Sequence, residues 1–198
     1  MYPSCIRNLI ECLKDLPGIG EKSAERLAYS IVAFDKDKIE NFANSLISIK
    51  ENIRRCEICN CITDMNKCYI CNDDNRNDET IFVVEKSKDI ILFEKMGTYN
   101  GKYHVLDGLI SPMDGINPED INLSNLVKRV CDNNIKEVIV VLKPSIEGET
   151  TMQYIKKILS KYDVKVSKIP IGIPMGTDIE YIDTMTLEMA FEDRKEVS

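Results

Sequence analysis

Apolar residues recur at helical spacing through the first quarter of the chain. Ile6, Leu9, Ile10 and Leu13 fall on one face of a helix over residues 4–15. The stretch Leu16-Pro17-Gly18-Ile19-Gly20 breaks that pattern with a tight turn. Residues 21–34 restart it, with Ala24, Leu27, Ala28 and Ile31 on one face. Residues 36–55 predict a third amphipathic helix, with Ile39, Phe42, Ala43, Leu46, Ile49 and Ile53 along its stripe. Beyond a cysteine-rich window the period changes. Residues 80–84, 102–106, 137–142 and 164–167 read as short β-rich strands. Helical stretches at 88–95, 123–134 and 150–162 separate them, and Ser87 stands where it would cap the first. This alternation predicts a parallel sheet covered by helices, an α/β fold. A Gly/Pro-rich tail then leads into a helix over residues 183–192.

The cysteine-rich window carries the most specific chemistry. Cys56-Glu-Ile-Cys59 is followed, eight residues on, by Cys68-Tyr-Ile-Cys71. Two such knuckles can supply four thiolates to one tetrahedral ion, for which zinc is the usual occupant. The competing reading is two disulfides in a secreted chain. Residues 1–7 lack the apolar stretch of a signal peptide, so a cytosolic chain with reduced thiols is expected. No run of eighteen apolar residues suggests a membrane span. Cys61 sits inside the window and could compete as a ligand, at a poorer spacing. Cys5 and Cys12, seven apart on the first helix, and Cys131 are expected to be small buried apolar groups. The one histidine, His104, is read as structural or as a surface polar group, which disfavours a histidine-based metal site or triad.

Charge divides the chain. Its 198 residues carry a net charge of −7, yet residues 1–55 are net +1 and the remainder −8. Phosphate contacts are therefore expected from the first part. The Pro-Gly-x-Gly turn between two helices has the physics of an anion site. Gly18 and Gly20 allow close backbone approach, and the N–H groups opening the second helix point toward a phosphate. Lys22 lies in that first turn, and Arg26 one turn further along the same face. The pair Arg54-Arg55 either adds phosphate contacts or is a solvated helix end.

The α/β part has acidic groups where the ligands of such sheets gather, at the carboxyl ends of strands. Glu85 ends the first strand, and Glu147 and Glu149 lie in the expected loop after the third. Together they could hold Mg²⁺ through oxygen ligands, or be a plain acidic surface. No Gly-x-x-x-x-Gly-Lys-Ser/Thr loop is present, which argues against an autonomous ATPase.

Nearly end to end, the chain resembles the RecR family of bacterial recombination mediators. The resemblance rests on Leu-Pro-Gly-Ile-Gly-x-Lys-Ser-Ala-x-Arg (16–26), the four cysteines (56–71), Val-Val-Glu (83–85) and Tyr-His-Val-Leu (103–106). It continues through Ser-Pro-Met-Asp-Gly-Ile (111–116), Glu-Gly-Glu (147–149), Gly-Ile-Pro-Met-Gly (172–176) and Asp-Ile-Glu-Tyr-Ile-Asp (178–183). It implies a helix-hairpin-helix domain over residues 1–54 and a four-cysteine zinc finger over 55–75. A Toprim domain over 79–170 and a Walker-B-like C-terminal segment over 171–198 follow. It also implies a ring-like homotetramer, a dimer of dimers, that encircles single- or double-stranded DNA without catalysis. Such proteins act with RecO and RecF to load RecA on gapped single-stranded DNA, in the cytoplasm at the nucleoid. Lys22 and Arg26 match family residues facing DNA, while Glu85 and Glu147, with Glu149 beside them, match acidic positions of partner contact. The zinc is expected to be structural, holding the helical part at a set angle to the α/β part. Two departures stand out: Lys143 precedes Pro144 where most members carry Asn, and Asp107 replaces a small residue. The rival readings are a Mg²⁺-dependent Toprim nuclease or topoisomerase-like enzyme using Glu85, Glu147 and Glu149, and a zinc-finger transcription factor.

Overall fold

The computed structural model describes residues 2–132, 134–170 and 172–194. The chain divides into two compact units, residues 1–53 and 54–198.

The first unit is three helices: α1 (Ser4–Lys14), α2 (Glu21–Val32) and α3 (Lys36–Asn52). Ile10, Ala24 and Ala28 are buried between α1 and α2, with Ile6, Leu9, Leu13 and Ile19 packed around them. The two alanines sit one turn apart on α2, and both are fully buried in this cluster. Cys5 and Cys12, expected to be buried, are exposed. Each adjoins a core residue in sequence, and one residue is a 100° step that turns them to the flank of the helix. Cys131 is exposed as well.

Helix α3 is capped by Asp35, whose carboxylate accepts the Lys38 N–H at 2.8 Å. It buries none of its own residues. Its apolar stripe lies open instead, with Phe42, Leu46 and Ile49 at 47, 55 and 56% exposure. The helix also stops short of the expected residue 55. Arg54–Arg55 form β1, paired antiparallel with β2 (Ile62–Thr63). The helical period ends there because these residues enter a ribbon that closes the first cysteine knuckle.

The second unit is built on a four-stranded parallel sheet of β3 (Asn77–Val84), β4 (Gly101–Val105), β5 (Glu137–Val141) and β6 (Lys165–Lys168), in the order β4-β3-β5-β6. Alternation along β3 sends Ile81 and Val83 to one face and Phe82 and Val84 to the other. The first face packs on α6 (Leu123–Asp132) and α7 (Ile146–Leu159) through Leu126, Val130, Ile155 and Leu159. The second packs on α5 (Ser87–Met96) through Ile90, and on Cys56, Cys59, Cys61, Cys68 and Ile70. The cysteine window therefore shares a core with the sheet. A short helix, α4 (Tyr69–Asn72), carries its second knuckle, and α8 (Thr184–Glu192) closes the described tail behind an Asp183 cap. Of the segment read as 171–198, Ile171 and residues 195–198 lie outside the described residues, as does Asn133.

Two helix starts differ from the sequence reading. Lys86, not Ser87, stands at the start of α5, and its backbone N–H donates to the Asp89 carboxylate at 2.9 Å. Ser87 Oγ instead accepts the Ile62 N–H of the finger ribbon at 2.9 Å. Helix α7 begins at Ile146 rather than near Thr150, because Ser145 Oγ accepts the Gly148 N–H at 3.2 Å. Gly148 is there for space, not as a breaker. A Cβ on it would lie 2.1 Å from the Lys143 carbonyl oxygen.

His104 lies fully buried on β4. Arg129 can only donate, so Nδ1 accepts from it at 3.3 Å and Nε2–H donates to the Asn122 carbonyl at 2.7 Å. Burial, and then the Arg129 charge, lower the imidazole pKa from 6.5 to about 3. The folded ring stays neutral while the unfolded one takes a proton near 6.5. Stability from this group is thus full above pH 6.5 and lost as the pH falls from there toward 3, at about 1.4 kcal/mol per pH unit. With one histidine in the chain, the test is direct. Its NMR resonance should stay flat from about pH 8 to 5 in the folded protein and titrate in urea. A folded-state midpoint near 6.5 would contradict the assignment.

Candidate metal centre and nucleic-acid interface

The metal centre is assembled by two knuckles. In the first, the Cys56 N–H donates to the Cys61 carbonyl at 2.8 Å and the Asn60 N–H to the Cys56 carbonyl at 2.9 Å. Asn60 takes the left-handed conformation, φ 62°, which its short polar side chain tolerates. In the second, the Cys71 N–H at the start of α4 donates to Cys68 Sγ at 3.4 Å. The Cys68 N–H donates to Cys56 Sγ at 3.3 Å and ties the knuckles together. The result brings the Cys56, Cys59, Cys68 and Cys71 sulfurs within 4.8 Å of one another.

That geometry fits a tetrahedral ion. Four sulfurs each ~2.3 Å from one centre stand about 3.8 Å apart. Cys59 and Cys68 Sγ are 3.6 Å apart, and all eight cysteines are free, so the disulfide reading fails. Cys59 and Cys68 are poised as thiolates. Cys61 and then Cys71 lower the Cys59 pKa to about 7, and Cys59, Cys61 and Cys71 hold Cys68 far below the ordinary thiol range.

The sheet supports this site through Lys102, which sequence reasoning missed. Its side chain is buried, and Nζ donates to the Asp73 and Ile70 carbonyls at 2.7 and 3.1 Å. A lysine inside a fully buried strand was the available signal. It pins the chain on both sides of Cys71 to β4 and sets a positive charge beside a thiolate cluster. Strand β4 grips the first knuckle too, since the Val105 N–H donates to the Cys59 carbonyl at 2.8 Å.

The hairpin of the first unit meets the requirements of a phosphate site. Gly18 adopts φ 81°, a conformation that L side chains rarely take, and so turns the chain between α1 and α2. Gly20 is the N-cap of α2. The first intrahelical bond runs from the Ala24 N–H to the Gly20 carbonyl, so the N–H groups of Glu21, Lys22 and Ser23 precede it. Lys22 and Arg26 are exposed, one turn apart. Their acidic neighbours are engaged elsewhere. Glu21 pairs with Lys14 at 2.7 Å, and Glu25 accepts from the Tyr2 hydroxyl at 2.9 Å. Arg55 is different: it pairs with Asp107, also at a left-handed position, and so is neither a helix end nor an unengaged cation. Asp107 thereby ties the finger ribbon to the loop after β4.

The acidic groups do not converge. Glu85 follows β3, is partly buried, and pairs with Lys86 at 3.3 Å. It lines a cavity with Lys88, Asp89 and Lys143. Glu147 and Glu149 lie in the first turn of α7, not in a loop. Residues two apart on a helix face different directions. Glu149 accepts from Gln153 at 2.8 Å. The Ser145 hydroxyl first, and less strongly the Lys143 charge, hold the Glu147 pKa below the usual range. Among the described residues, the three carboxylates form no group with the spacing of a metal site.

Comparison with known families places these features in one frame. A RecR helix-hairpin-helix family model matches residues 6–50, including the Gly18–Arg26 hairpin. A Toprim domain model matches residues 79–170, which hold the sheet and the three glutamates. A RecR C-terminal model matches residues 172–195. The four-cysteine cluster lies between the first and second matches. In this order the three domains form the RecR arrangement, and the chain belongs to the RecR family of recombination mediators in DNA repair.

Proposed function

We propose that the chain is a non-catalytic DNA clamp: a ring-like homotetramer, a dimer of dimers, that acts with RecO and RecF to load RecA on gapped single-stranded DNA. The observation that carries this reading is the hairpin. Two exposed cations, Lys22 and Arg26, stand at a glycine-flanked helix start whose acidic neighbours are already paired. That is a recipe for backbone phosphate contact without base readout, and it suits single- and double-stranded DNA alike.

Three further features support the reading. The open apolar stripe of α3 is the kind of face that protein neighbours cover, which fits an oligomer. An oligomer multiplies the hairpin cations of a chain whose net charge is −7. The cluster of Cys56, Cys59, Cys68 and Cys71 suits structural zinc, with no open coordination position for chemistry. Glu85, Glu147 and Glu149, spread over the carboxyl end of the sheet, serve as contacts for partner proteins, in a cytoplasmic, nucleoid-associated setting.

The test against a Toprim enzyme is an incubation of clean protein with supercoiled plasmid and Mg²⁺. Binding with no cleavage or relaxation is expected. Mg²⁺-dependent turnover that disappears in Glu147→Ala would overturn the non-catalytic reading in favour of phosphoryl-transfer chemistry.

A further inference from the structure

The metal centre is closed at three of its sulfurs and open at the fourth. Cys56, Cys59 and Cys68 are buried, at 3, 1 and 1% exposure, whereas Cys71 is partly exposed. Cys71 lines a cavity of about 560 Å³ with Asp78, Glu79, Lys102, Asp132 and Asn134. Of the four ligand residues, it is the one that lines this cavity among the described residues.

The two knuckles are also fastened to the sheet by different means. The first is held by backbone, through the Val105 N–H on the Cys59 carbonyl at 2.8 Å. The second rides on α4, a helix of four residues, too short to hold itself together. Its tie to β4 is one side chain. Lys102 Nζ donates to the Ile70, Cys71 and Asp73 carbonyls at 3.1, 3.5 and 2.7 Å. A swing of that side chain frees the backbone around Cys71, while freeing Cys59 means parting it from the strand. The cavity wall suits a divalent cation. Lys102 and Arg129, its cations, are bonded to carbonyls of the fold, and Asp132 forms no ion pair among the described residues. Carboxylates on a concave wall raise the local concentration of cations.

We propose that this cavity is the exchange port of the metal centre. Cys71 is the ligand that opens into it, last to close and first to let go, and Lys102 is the latch that sets how readily it opens. The proposal rests on the zinc reading of the cluster and adds to it a route and an order of ligand release.

The zinc-loaded chain tests this on a background of Cys5→Ser, Cys12→Ser and Cys131→Ser, which removes the exposed thiols outside the cluster. Zinc transfer to a colorimetric chelator gives the exchange rate. Brief N-ethylmaleimide treatment during transfer, read by mass spectrometry, gives the first sulfur to open. Alkylation should begin at Cys71. Asn134→Trp puts a bulky ring on the exposed cavity wall and should slow transfer several-fold. Lys102→Met should speed it several-fold. Alkylation that begins at another cysteine of the finger overturns the proposal, as does a transfer rate that Asn134→Trp leaves unchanged. A folded Lys102→Met chain with the wild-type rate removes the latch, and if that variant does not fold the other two readings still decide. A wild-type chain that takes up no zinc would instead defeat the underlying zinc reading, which keeps the two failures apart.

Discussion

Reversing two charges, Lys22→Glu with Arg26→Glu, is expected to abolish DNA binding while leaving the fold intact. Both side chains are exposed and lie outside the α1–α2 core of Ile10, Ala24 and Ala28. Surface changes of this kind usually move stability by no more than ~0.5 kcal/mol. Binding is another matter. Each neutralised phosphate contributes about 0.9 to the slope of log K against log salt on duplex DNA. Losing two contacts per engaged copy should flatten that slope by about 2 per copy and weaken binding at every salt concentration. The new carboxylates would also face the helix-start N–H groups and compete with phosphate there. Titration of labelled DNA at low and moderate salt measures both effects. Unchanged low-salt affinity in a folded double variant would remove the hairpin from the account.

Removing the metal should have the largest effect on stability, and in the α/β unit. Structural zinc contributes roughly 10–16 kcal/mol of apparent binding free energy in small zinc domains, comparable to the whole stability of a typical domain. Here Cys56, Cys59, Cys61 and Cys68 share a core with Phe82, Val84, Tyr103 and Val105. Without the ion that core would hold unligated sulfurs, with Cys56 and Cys71 pushed toward the neutral thiol and no bond left to tie the two knuckles through a common centre. Even a partial loss of ~5 kcal/mol corresponds to a fall of about 10–20 °C in Tm for a unit of this size. The Val105 amide, bonded to the Cys59 carbonyl, is a built-in reporter. Its hydrogen exchange should accelerate after chelation or in Cys56→Ser/Cys59→Ser. An unchanged Tm in protein shown to be metal-free would exclude a structural role.

This prediction differs from the one the sequence suggests, and the difference is instructive. Composition marks residues 56–71 as a separate finger, a staple between two bodies. Packing makes them part of the sheet's second face, because Cys and Ile70 supply apolar surface that α5 alone does not. Pairing across such distances leaves no local pattern. Buried strands, by contrast, are legible: the apolar runs within β3 and β5 read as strands because both faces of a parallel sheet are covered. The hairpin is legible too, since Pro-Gly-x-Gly carries its backbone geometry in its residue types. The sequence reading puts Glu147 and Glu149 in a loop, whereas the Ser145 cap starts α7 before them and Gly148 answers a steric demand from Lys143. Lys102 and the Arg55–Asp107 pair were invisible for the same reason as the finger's packing: their meaning lies in partners far along the chain.

The central claim is an oligomeric clamp that holds DNA through its hairpins, and light scattering of the purified chain tests it most directly. Measured with and without DNA, the account predicts a mass of four copies that persists in a DNA complex. A strict monomer under every condition would contradict it.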